Sequence, residues 1–341
     1  MLKTAVVILN WNGIKFLKQY IPSLIDFSST QTEIYVIDNA STDESISYLQ
    51  INFPQIKVII NKENYGFAKG YNEGLKHIDA EYYCLLNSDV EVSSHWDDAI
   101  ITYMDQHPEV AVCQPKLLSF FHKDEFEYAG ASGGFIDKYG YPFCRGRLFS
   151  TIEKDCAQYD DITEVFWATG ACMFVRRKVF WKLGGLDDDF FTHMEEIDFC
   201  WRIKNAGYKV MCFPDSVVYH YGGGTLAMGS PKKTFYNFRN NLIMLYKNLP
   251  TNRLLPVFSL RFIYDIVAAL RFLLDSGVND FMAVFNAHIA FIKTIKQSHF
   301  KRKKTQTSSA IVSKMYKKNI TVQYFIFKRK KFSDLNPNDF V

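Results

Sequence analysis

Two short acidic stretches of this sequence contain residue types that can hold a metal ion or accept a proton. The first follows an apolar run from Tyr82 to Leu86 and consists of Asn87, Ser88 and Asp89. Because ligands of an open parallel sheet bind beyond the carboxyl ends of its strands, Asp89 is expected at a ligand site. A carboxylate there suits a divalent cation, Mn²⁺ or Mg²⁺, that bridges to a diphosphate. The alternative is a turn residue that caps the following helix.

The second stretch places three carboxylates in the first turn of a predicted helix. Glu195, Glu196 and Asp198 open this helix, which is expected to end at Gly207. The helix dipole favours acids at that end, so a purely structural role is one interpretation. The flanking residues are bulky and apolar, however, and burial beside like charges raises a carboxyl pKa toward the range of a general base. These three residues are the candidate catalytic residues.

Two other polar residues stand at the ends of predicted strands. Asp38 is placed to contact the ribose hydroxyls or the base of a nucleotide. Its alternative role is a simple helix cap, a task that Ser41 or Thr42 also suits. His220 ends a short apolar strand and is a candidate metal ligand or phosphate contact. A histidine with neither role is the alternative.

The elements that must position these residues are strands alternating with helices. Helix-spaced apolar residues predict helices over 14–27 and 44–51, and β-branched apolar runs predict strands over 4–9, 33–37 and 57–60 and from Tyr82. Alternation at this spacing indicates an α/β domain with a mostly parallel sheet. Glycine and aromatic residues over 127–149 predict hairpins over a cleft. Small residues at 169–171 would let a ligand or another backbone approach closely.

The segment from Asn64 to Gly74 combines asparagines with glycines at positions 66, 70 and 74. It is not a P-loop, because no Gly-Lys-Ser/Thr follows. It is not a dinucleotide fingerprint either, because it does not follow the first strand. A ligand contact and close packing of the following helix are both open interpretations of these glycines.

Composition and charge limit the class of protein. The 341 residues are 48% hydrophobic and 16% aromatic, as in a globular protein. The net charge is +4, yet the chain from Ala290 onward holds 13 Lys and Arg against 2 Asp. The seven cysteines are scattered without a CxxC pair, which favours a reducing compartment. The apolar run near the N-terminus is too short for a signal peptide, so we expect a cytoplasmic protein.

The C-terminal quarter predicts helices that lie on a membrane surface. Residues 254–274 are strongly apolar, but Arg261, Asp265, Arg271 and Asp275 fall on one arc of that helix. Basic runs at 301–304 and 328–331 follow, so we expect monotopic helices on an anionic bilayer at the inner face of the cell membrane. A helical subdomain packed on the rest of the chain, or a dimer contact, is the alternative. No nucleic-acid partner is expected, because no binding motif accompanies the charges.

The motifs at 4–12, 38–43, 64–74, 86–89 and 184–207 occur in the order seen in family 2 glycosyltransferases. The sequence resembles the rhamnosyltransferase-type branch of that family most, over about residues 1–245. This resemblance implies a GT-A fold, with a Rossmann-like, mostly parallel sheet in the catalytic domain. It also implies a domain boundary, with the catalytic domain over 1–245 and a basic helical segment over 246–341.

The resemblance implies a role for each motif. The acid that matches Asp38 binds the nucleotide, and the motif that matches residues 87–89 holds a divalent metal on the donor diphosphate. The pair that matches Glu195 and Glu196 supplies the base that deprotonates the acceptor hydroxyl. The family usually has Asp where this chain has Asn87 and Glu196. The residues expected at the nucleotide sugar are Asn10, Asp38, Asn64, Gly66, Asn72, Asn87 and Gly170, and those expected at the metal are Asp89 and His220.

The sequence therefore predicts an inverting glycosyltransferase that moves a sugar from a nucleotide-diphosphate donor. The expected acceptor is a hydroxyl of a glycan or a lipid-linked saccharide, in cell-surface polysaccharide synthesis. One alternative is a sugar nucleotidyltransferase, which usually has a glycine-rich loop and a basic residue after its first strand. The other is a non-catalytic, membrane-associated binder of nucleotide sugars, which would lack the acids at 89 and 195–198.

Overall fold

The computed structural model describes residues 2–222, 230–305 and 312–341. Its strands are β1 (Leu2–Asn10), β2 (Thr32–Asp38), β3 (Lys57–Ile60), β4 (Ala80–Asn87), β5 (Val90–Val92), β6 (Val110–Ser119), β7 (Gly134–Asp137), β8 (Pro142–Cys144), β9 (Arg147–Leu148), β10 (Thr151–Ile152), β11 (Thr163–Glu164), β12 (Cys172–Arg176), β13 (Lys209–His220) and β14 (Met315–Tyr316). Its α-helices are α1 (Ile14–Phe27), α2 (Ser45–Asn52), α3 (Gly66–Leu75), α4 (Asp98–Gln106), α5 (Arg177–Lys182), α6 (Glu195–Asn205), α7 (Pro231–Asn248), α8 (Thr251–Asp275), α9 (Val278–Thr305) and α10 (Ile320–Phe325).

Over the described residues, nine strands form the main sheet in the order β11-β13-β6-β12-β4-β1-β2-β3, with β5 paired to β13. The four strands β3, β2, β1 and β4 run parallel. This confirms the predicted α/β class and its parallel core. The strand β12 runs antiparallel between β4 and β6, so the sheet is mixed on that side.

The residues of β1 show why its sequence is apolar without interruption. Val6 and Ile8 pack in one hydrophobic layer together with α1, whereas Ala5 and Val7 pack in a second layer together with α3. All four side chains are buried. A strand covered by helices on both faces needs apolar residues at successive positions, as parallel sheets generally do.

The register of these strands brings the predicted site residues to one edge of the sheet. Asn10 of β1 is the register partner of Asp38 of β2, and Leu9 is the partner of Asn87 of β4. All three strands point the same way, so their carboxyl ends share this edge. The turns that follow them therefore surround one crevice.

A second sheet, in the order β10-β9-β8-β7-β14, lies in the part of the chain where hairpins were predicted. Its last strand comes from the C-terminal region and pairs parallel with β7. The backbone N–H of Ile320 also donates to Asp137 Oδ2 at 2.9 Å. The predicted boundary after residue 245 falls inside α7. The residues after 312 pack on the second sheet and are thus part of the fold built by the earlier chain.

The C-terminal helices α7 and α8 both pack against α9, and α7 also packs against α6. The first half of the charged arc of α8 faces the interior: Arg261 and Asp265 are buried and lie 3.1 Å apart. Arg261 Nη1 also donates to Asn241 Oδ1 of α7 at 2.8 Å. Among the helices that the structure describes, none is long and apolar enough to cross a bilayer.

Candidate active site

The first two strand ends of the crevice are joined by their own side chains. Asn10 Nδ2 donates to Asp38 Oδ1 at 3.0 Å, and the backbone N–H of Ser41 donates to Asp38 Oδ2 at 2.8 Å. Both Asn10 and Asp38 are buried. Asp38 therefore connects the first two turns through hydrogen bonds. Its contact with a nucleotide stays a prediction.

The turn after β1 presents a residue that the sequence reasoning did not assign. Trp11 is 52% exposed beside the buried Asn10. The following residue, Asn12, has a left-handed φ of 52° and accepts a hydrogen bond from the backbone N–H of Thr42 at 2.7 Å. An exposed tryptophan on a turn that is fixed in this way gives an aromatic surface at the mouth of the crevice. The signal in the sequence was a large aromatic residue directly after a buried strand.

The third turn is held by side-chain amides. Asn64 Oδ1 accepts hydrogen bonds from Asn39 Nδ2 at 3.1 Å and from the backbone N–H of Gly66 at 2.9 Å. Gly66 has a φ of +75°, and a Cβ there would lie 2.6 Å from the ring of Phe191. Only glycine meets both conditions without strain. Gly66 thus lets the loop before α6 approach α3.

Asn72 holds the same loop nearly two turns further along α3. Its Nδ2 donates to the backbone oxygen of Leu186 at 2.7 Å and to Asp188 Oδ1 at 2.6 Å. Its Oδ1 accepts from the backbone N–H of Leu186 at 3.0 Å. The side chain is engaged at both ends, so the structure gives Asn72 a role in shaping the loop. For Asn64, Gly66 and Asn72, contact with a donor stays a prediction.

The predicted metal residues lie side by side. His220 Nε2 is 3.1 Å from Asp89 Oδ1 and 3.5 Å from Asn87 Nδ2, and Asp89 and His220 are each 7% exposed. On the other side of the imidazole, Nδ1 lies 3.2 Å from Glu127 Oε1. The strands β4 and β13, which are far apart in sequence, therefore end at one site. Glu127, which the sequence reasoning missed, is its third charged group.

The charges at this site shift the pKa values of both His220 and Asp89. Burial alone would lower the pKa of His220, but the charges of Glu127 and Asp89 outweigh burial and raise its pKa to about 10. Burial alone would raise the pKa of Asp89, but the hydrogen bond and the charge of His220 hold its pKa below the ordinary value. The site therefore holds an ionised carboxylate next to a protonated imidazole at neutral pH.

Asp89 and His220 fit a divalent cation that takes most of its ligands from water and substrate phosphates. Over the residues described, no group of three or more His, Cys, Asp or Glu converges on a metal position. Asp89 and Glu127 do not converge because His220 lies between them. Mg²⁺ and similar hard ions are commonly held by one or two carboxylates together with water and substrate phosphates. Asp89 meets that requirement, and His220 can join it as a ligand only after losing its proton.

The helix that carries the acidic pair begins in a strained backbone. His193 and Met194, the two residues before Glu195, have φ values of +69° and +73°. Left-handed conformations in non-glycine residues cost about 1–3 kcal/mol each and cluster at functional sites. The loop is held in place by Asn240 Nδ2, which donates to the backbone oxygens of Thr192 and His193 at 2.8 Å. This strain indicates that the start of α6 is placed for a purpose beyond helix formation.

Three successive polar side chains around this start have buried atoms without a hydrogen-bond partner. Within the described part of the chain these atoms are His193 Nε2, Glu195 Oε2 and Glu196 Oε2. Buried polar atoms in native proteins are nearly always paired, so a group of unpaired ones marks a place where a ligand or water belongs. The sequence reasoning missed His193, whose only signal was its place two residues before the acidic pair.

Burial makes the two glutamates weak acids. It raises the pKa of Glu196 to about 7. Burial and the charge of Glu196 raise the pKa of Glu195 well above its ordinary value. Glu196 keeps part of its surface exposed, whereas Glu195 is buried. Glu196 is consequently the carboxylate that a substrate hydroxyl can reach, and its pKa suits a general base at neutral pH.

Gly170 connects the two acidic sites. A side chain at this position would meet the ring of Phe67 at 3.2 Å and would lie 3.9 Å from Glu196 Cβ. The next residue, Ala171, accepts a hydrogen bond from the backbone N–H of Asn87 at 2.9 Å. The predicted approach of other groups to residues 169–171 is therefore seen. One short turn separates the acidic helix from the strand that leads to Asp89.

Asp198 has a different environment from the pair. It is fully buried, and its Oδ2 accepts from Arg202 Nε and Lys247 Nζ at 2.9 Å each. Its Oδ1 accepts from Asn248 Nδ2 at 2.8 Å. Both oxygens therefore tie α6 to α7. This geometry gives Asp198 a role in joining the two helices, and a catalytic role for it stays a prediction.

The Asp198→Asn variant is expected to be destabilised by about 3–5 kcal/mol, because it leaves buried cations without their partner. Thermal unfolding would show a lower midpoint than for the unchanged protein. The control is Glu73→Gln, which removes an exposed pair with Lys76 and should change stability by less than about 1 kcal/mol. An Asp198→Asn protein of normal stability that has lost activity would instead support a catalytic role for Asp198.

Solved structures share this fold. The chain of S. aureus TarS (residues 1–349) in complex with UDP-GlcNAc aligns with a TM-score of 0.55 at 16% identity, covering 88% of this chain and 83% of that one. GalNAc-T7 with UDP, GalNAc and Mn²⁺ aligns with a TM-score of 0.56 at 17% identity, covering 72% of this chain. This chain spans about half of GalNAc-T7, 48% of its length. The fold is that of the GT-A class of glycosyltransferases, as predicted.

The sequence comparisons give the family. Residues 5–184 match the model of Glycosyl transferase family 2, so the chain belongs to that family. Among its relatives is the N-acetylglucosaminyl-diphospho-decaprenol L-rhamnosyltransferase of Mycobacterium tuberculosis, 23% identical over 234 residues. That alignment covers 63% of this chain and 75% of the relative. The predicted resemblance to the rhamnosyltransferase-type branch is confirmed.

Proposed function

We propose that this protein transfers a sugar, with inversion, from a nucleotide-diphosphate donor to a hydroxyl of a glycan or lipid-linked saccharide in cell-surface polysaccharide synthesis. The observation that carries this proposal is the placement of Glu196. Its carboxyl group has a pKa of about 7 and an unpaired buried oxygen. It lies beside Gly170, and the next residue, Ala171, accepts a hydrogen bond from Asn87 at the end of β4. A base and a diphosphate site on opposite sides of one turn are what a direct displacement requires.

The donor side of the crevice is formed by Asp89, His220 and the turns that Asn10 and Asp38 join. A divalent metal, when bound, would supply the positive charge that stabilises the leaving diphosphate. Asp89 would hold it, with His220 as the second candidate ligand. The indole of Trp11 is placed to stack on the base of the nucleotide.

The acceptor side is the strained start of α6. Glu196 accepts the proton of the attacking hydroxyl, while His193 Nε2 is available as a neutral hydrogen-bonding group, since burial lowers the pKa of His193 to about 4. The hydroxyl attacks the anomeric carbon from the face opposite the leaving diphosphate. A single displacement of this kind inverts the anomeric centre and needs no covalent intermediate on the protein.

The rate of transfer is expected to rise with pH through a midpoint near 7, because only the ionised form of Glu196 accepts a proton. Its raised pKa keeps the carboxyl protonated at pH 5–6, so kcat/KM for the acceptor should fall there about tenfold for each pH unit below 7. Initial rates at saturating donor between pH 5 and 8 test this proposal. The Glu195→Gln variant should retain the rising limb. A flat profile between pH 5 and 8 would contradict the role of Glu196 as the base.

Two other functions make different predictions for the same site. A sugar nucleotidyltransferase would form a nucleotide sugar from a sugar phosphate and release inorganic diphosphate. The turn after β1 argues against it, because Asn10, Trp11 and Asn12 stand there instead of a glycine-rich loop with a basic residue. A non-catalytic binder would not require the strain of His193 and Met194 before an acidic pair with raised pKa values.

The lipid-linked acceptor implies a site at a membrane. The relative from M. tuberculosis is by its name a transferase for a diphospho-decaprenol carrier, and the basic excess after residue 290 suits an anionic surface. We therefore place the protein as a peripheral enzyme at the cytoplasmic face of the cell membrane. Its partners there would be the nucleotide-sugar donor, the lipid-linked acceptor and anionic lipid.

A further inference from the structure

The helix α8 buries two charged residues and exposes an apolar side. Arg261 and Asp265 face the interior, where Arg261 Nη1 donates to the backbone oxygen of Tyr139 at 2.9 Å. On the opposite side, Ile263, Val267, Leu270 and Leu274 are 52–86% exposed. A helix on the surface of a water-soluble domain normally has the reverse arrangement.

The helix α9 continues this pattern. Val278, Met282, Phe285, Ile289 and Ile292 recur every three or four residues and so lie on one face, and each is 37–63% exposed. The opposite face, which includes Ala283, Ala287 and Phe291, is buried. The outward face of α9 is thus an apolar stripe about four turns long.

The two exposed faces meet. Phe262 of α8, itself exposed, contacts the ring of His288 of α9 with 5.8 Å between centroids. His288 lies between Phe285 and Ile289, and Ser276 and Gly277 alone connect the two helices. The hairpin α8–α9 therefore presents one continuous apolar surface, which we call the hairpin face. Exposed apolar surfaces of this size mark sites of interaction.

Basic residues border the hairpin face. Lys293, Lys296, Lys303 and Lys304 are exposed on α9 beyond Ile292. The exposed acid of α8, Asp275, is neutralised by Arg271 at 2.9 Å. An apolar surface with a cationic border has the chemistry of a lipid interface, where apolar side chains enter the acyl region and lysines meet anionic headgroups.

The end of α10 adds a second apolar and basic element beside α8. Ile326 and Phe327 are 69% and 63% exposed, directly before a basic run at 328–331. The guanidinium of Arg271 lies 4.7 Å from the ring centroid of Phe325, which places this element next to the last turns of α8. Its composition repeats that of the hairpin face.

We propose that the hairpin face is the surface by which this protein lies on an anionic bilayer, with α8 and α9 parallel to the membrane plane. A second copy of the chain is a poorer occupant, because a twofold contact would bring the two cationic borders together. The lipid is a better one, because its charge is opposite to that of the border. This inference rests on the proposed function, since it supplies the partner that a lipid-linked acceptor requires.

The inner side of α9 connects the membrane surface to the acidic loop. Gln297 Nε2 donates to Asp189 Oδ1 at 2.8 Å, and Lys301 Nζ lies 2.6 Å from Asp189 Oδ2. Lys301 also pairs with Asp187, as does Lys247 of α7. The loop that these residues contact leads into the start of α6. Binding of α9 to a bilayer would thus hold the acceptor side of the crevice close to the lipid.

The test is co-sedimentation of the full chain with vesicles of phosphatidylcholine that contain about 30% phosphatidylglycerol. We expect the unchanged protein to bind these vesicles at least tenfold more tightly than vesicles of phosphatidylcholine alone. Binding should weaken in 0.5 M NaCl without disappearing, because the apolar contribution is not screened. The Val267→Glu/Ile289→Glu variant should lose binding tenfold or more. Both positions are exposed, so the variant should keep its fold.

The matched control is Ile51→Glu/Ile162→Glu, which changes two exposed isoleucines on α2 and in the loop before β11. It should bind vesicles as the unchanged protein does. Slow hydrolysis of the donor should be unchanged in both variants, so a failure of the catalytic proposal is distinguishable from a failure of this one. Equal vesicle binding by both double variants would overturn the inference. So would an unchanged protein that ignores the vesicles and forms a dimer that Val267→Glu/Ile289→Glu converts to monomer.

Discussion

The Asp89→Asn variant is expected to lose nearly all glycosyl transfer, by about 100-fold or more. Asparagine keeps the size of the side chain but removes the negative charge that would hold a divalent cation beside the donor diphosphate. The change also removes the ionised partner of His220, which lies 3.1 Å away. Initial rates of transfer, together with the affinity for the nucleotide sugar with and without Mn²⁺, measure the effect. Donor binding should lose most of its dependence on the metal.

The control for this variant is Asp124→Asn, which neutralises an exposed acid paired with Lys154. It should transfer sugar at the normal rate. Full activity of the unchanged protein in excess EDTA would refute the metal assignment. The same conclusion would follow if Asp89→Asn bound the donor with its metal dependence intact.

The Glu196→Gln variant is expected to slow transfer by about 10²–10⁴-fold, the usual contribution of a general base. Glutamine has the same size and can fill the same space beside Gly170, but it cannot accept the proton of the acceptor hydroxyl. The affinity for the donor should change little, because Asp89 and the strand ends are untouched. Rates at saturating acceptor and donor, with donor affinity measured separately, separate these two effects.

Two companion variants make the assignment of the base specific. Glu195→Gln should slow transfer less than Glu196→Gln, because Glu195 is the more buried of the pair. Glu196→Asp should recover part of the rate, since it restores a carboxylate on a shorter side chain. Near-normal transfer by Glu196→Gln would move the role to Glu195. A large loss of donor affinity would instead make Glu196 part of the donor site.

Much of the α/β core could be predicted because its information is local. The predicted strand over 57–60 and the predicted helix over 14–27 match β3 and α1 in both bounds. An apolar run in a strand and a helix-spaced apolar pattern are each visible in a short window of the sequence. The antiparallel insertion of β12 between β4 and β6 depends on pairing across long stretches of chain, which no window contains.

The site was predicted in its types of residue but not in their individual roles. Asp198 looks like Glu195 and Glu196 in the sequence, yet neighbouring helix positions point about 100° apart, and Asp198 faces α7. Its partners Lys247 and Asn248 lie about 50 residues further along the chain. Glu127 was missed for the same reason, because it is far from His220 in the sequence and contacts it only in the folded chain.

The helical pattern of α8 was predicted correctly, but only the structure shows which side of that helix is buried. The sequence placed Arg261, Asp265, Arg271 and Asp275 on one arc, and the arc is present. In the structure its first half is buried against the protein, so the apolar side is the one left exposed. Burial of Arg261 is stabilised by Asn241 and Tyr139, partners that a helical pattern does not reveal.

The most direct test of the central proposal is incubation of the purified full chain with a panel of nucleotide sugars in the presence of Mn²⁺ or Mg²⁺. We expect one donor to raise the thermal midpoint of the protein and to be hydrolysed slowly to free sugar and nucleoside diphosphate, with water in place of the acceptor. The hydrolysis should be lost in Asp89→Asn. Absence of binding and hydrolysis across the panel, or release of a sugar phosphate with formation of a nucleoside triphosphate in the presence of diphosphate, would contradict the proposal.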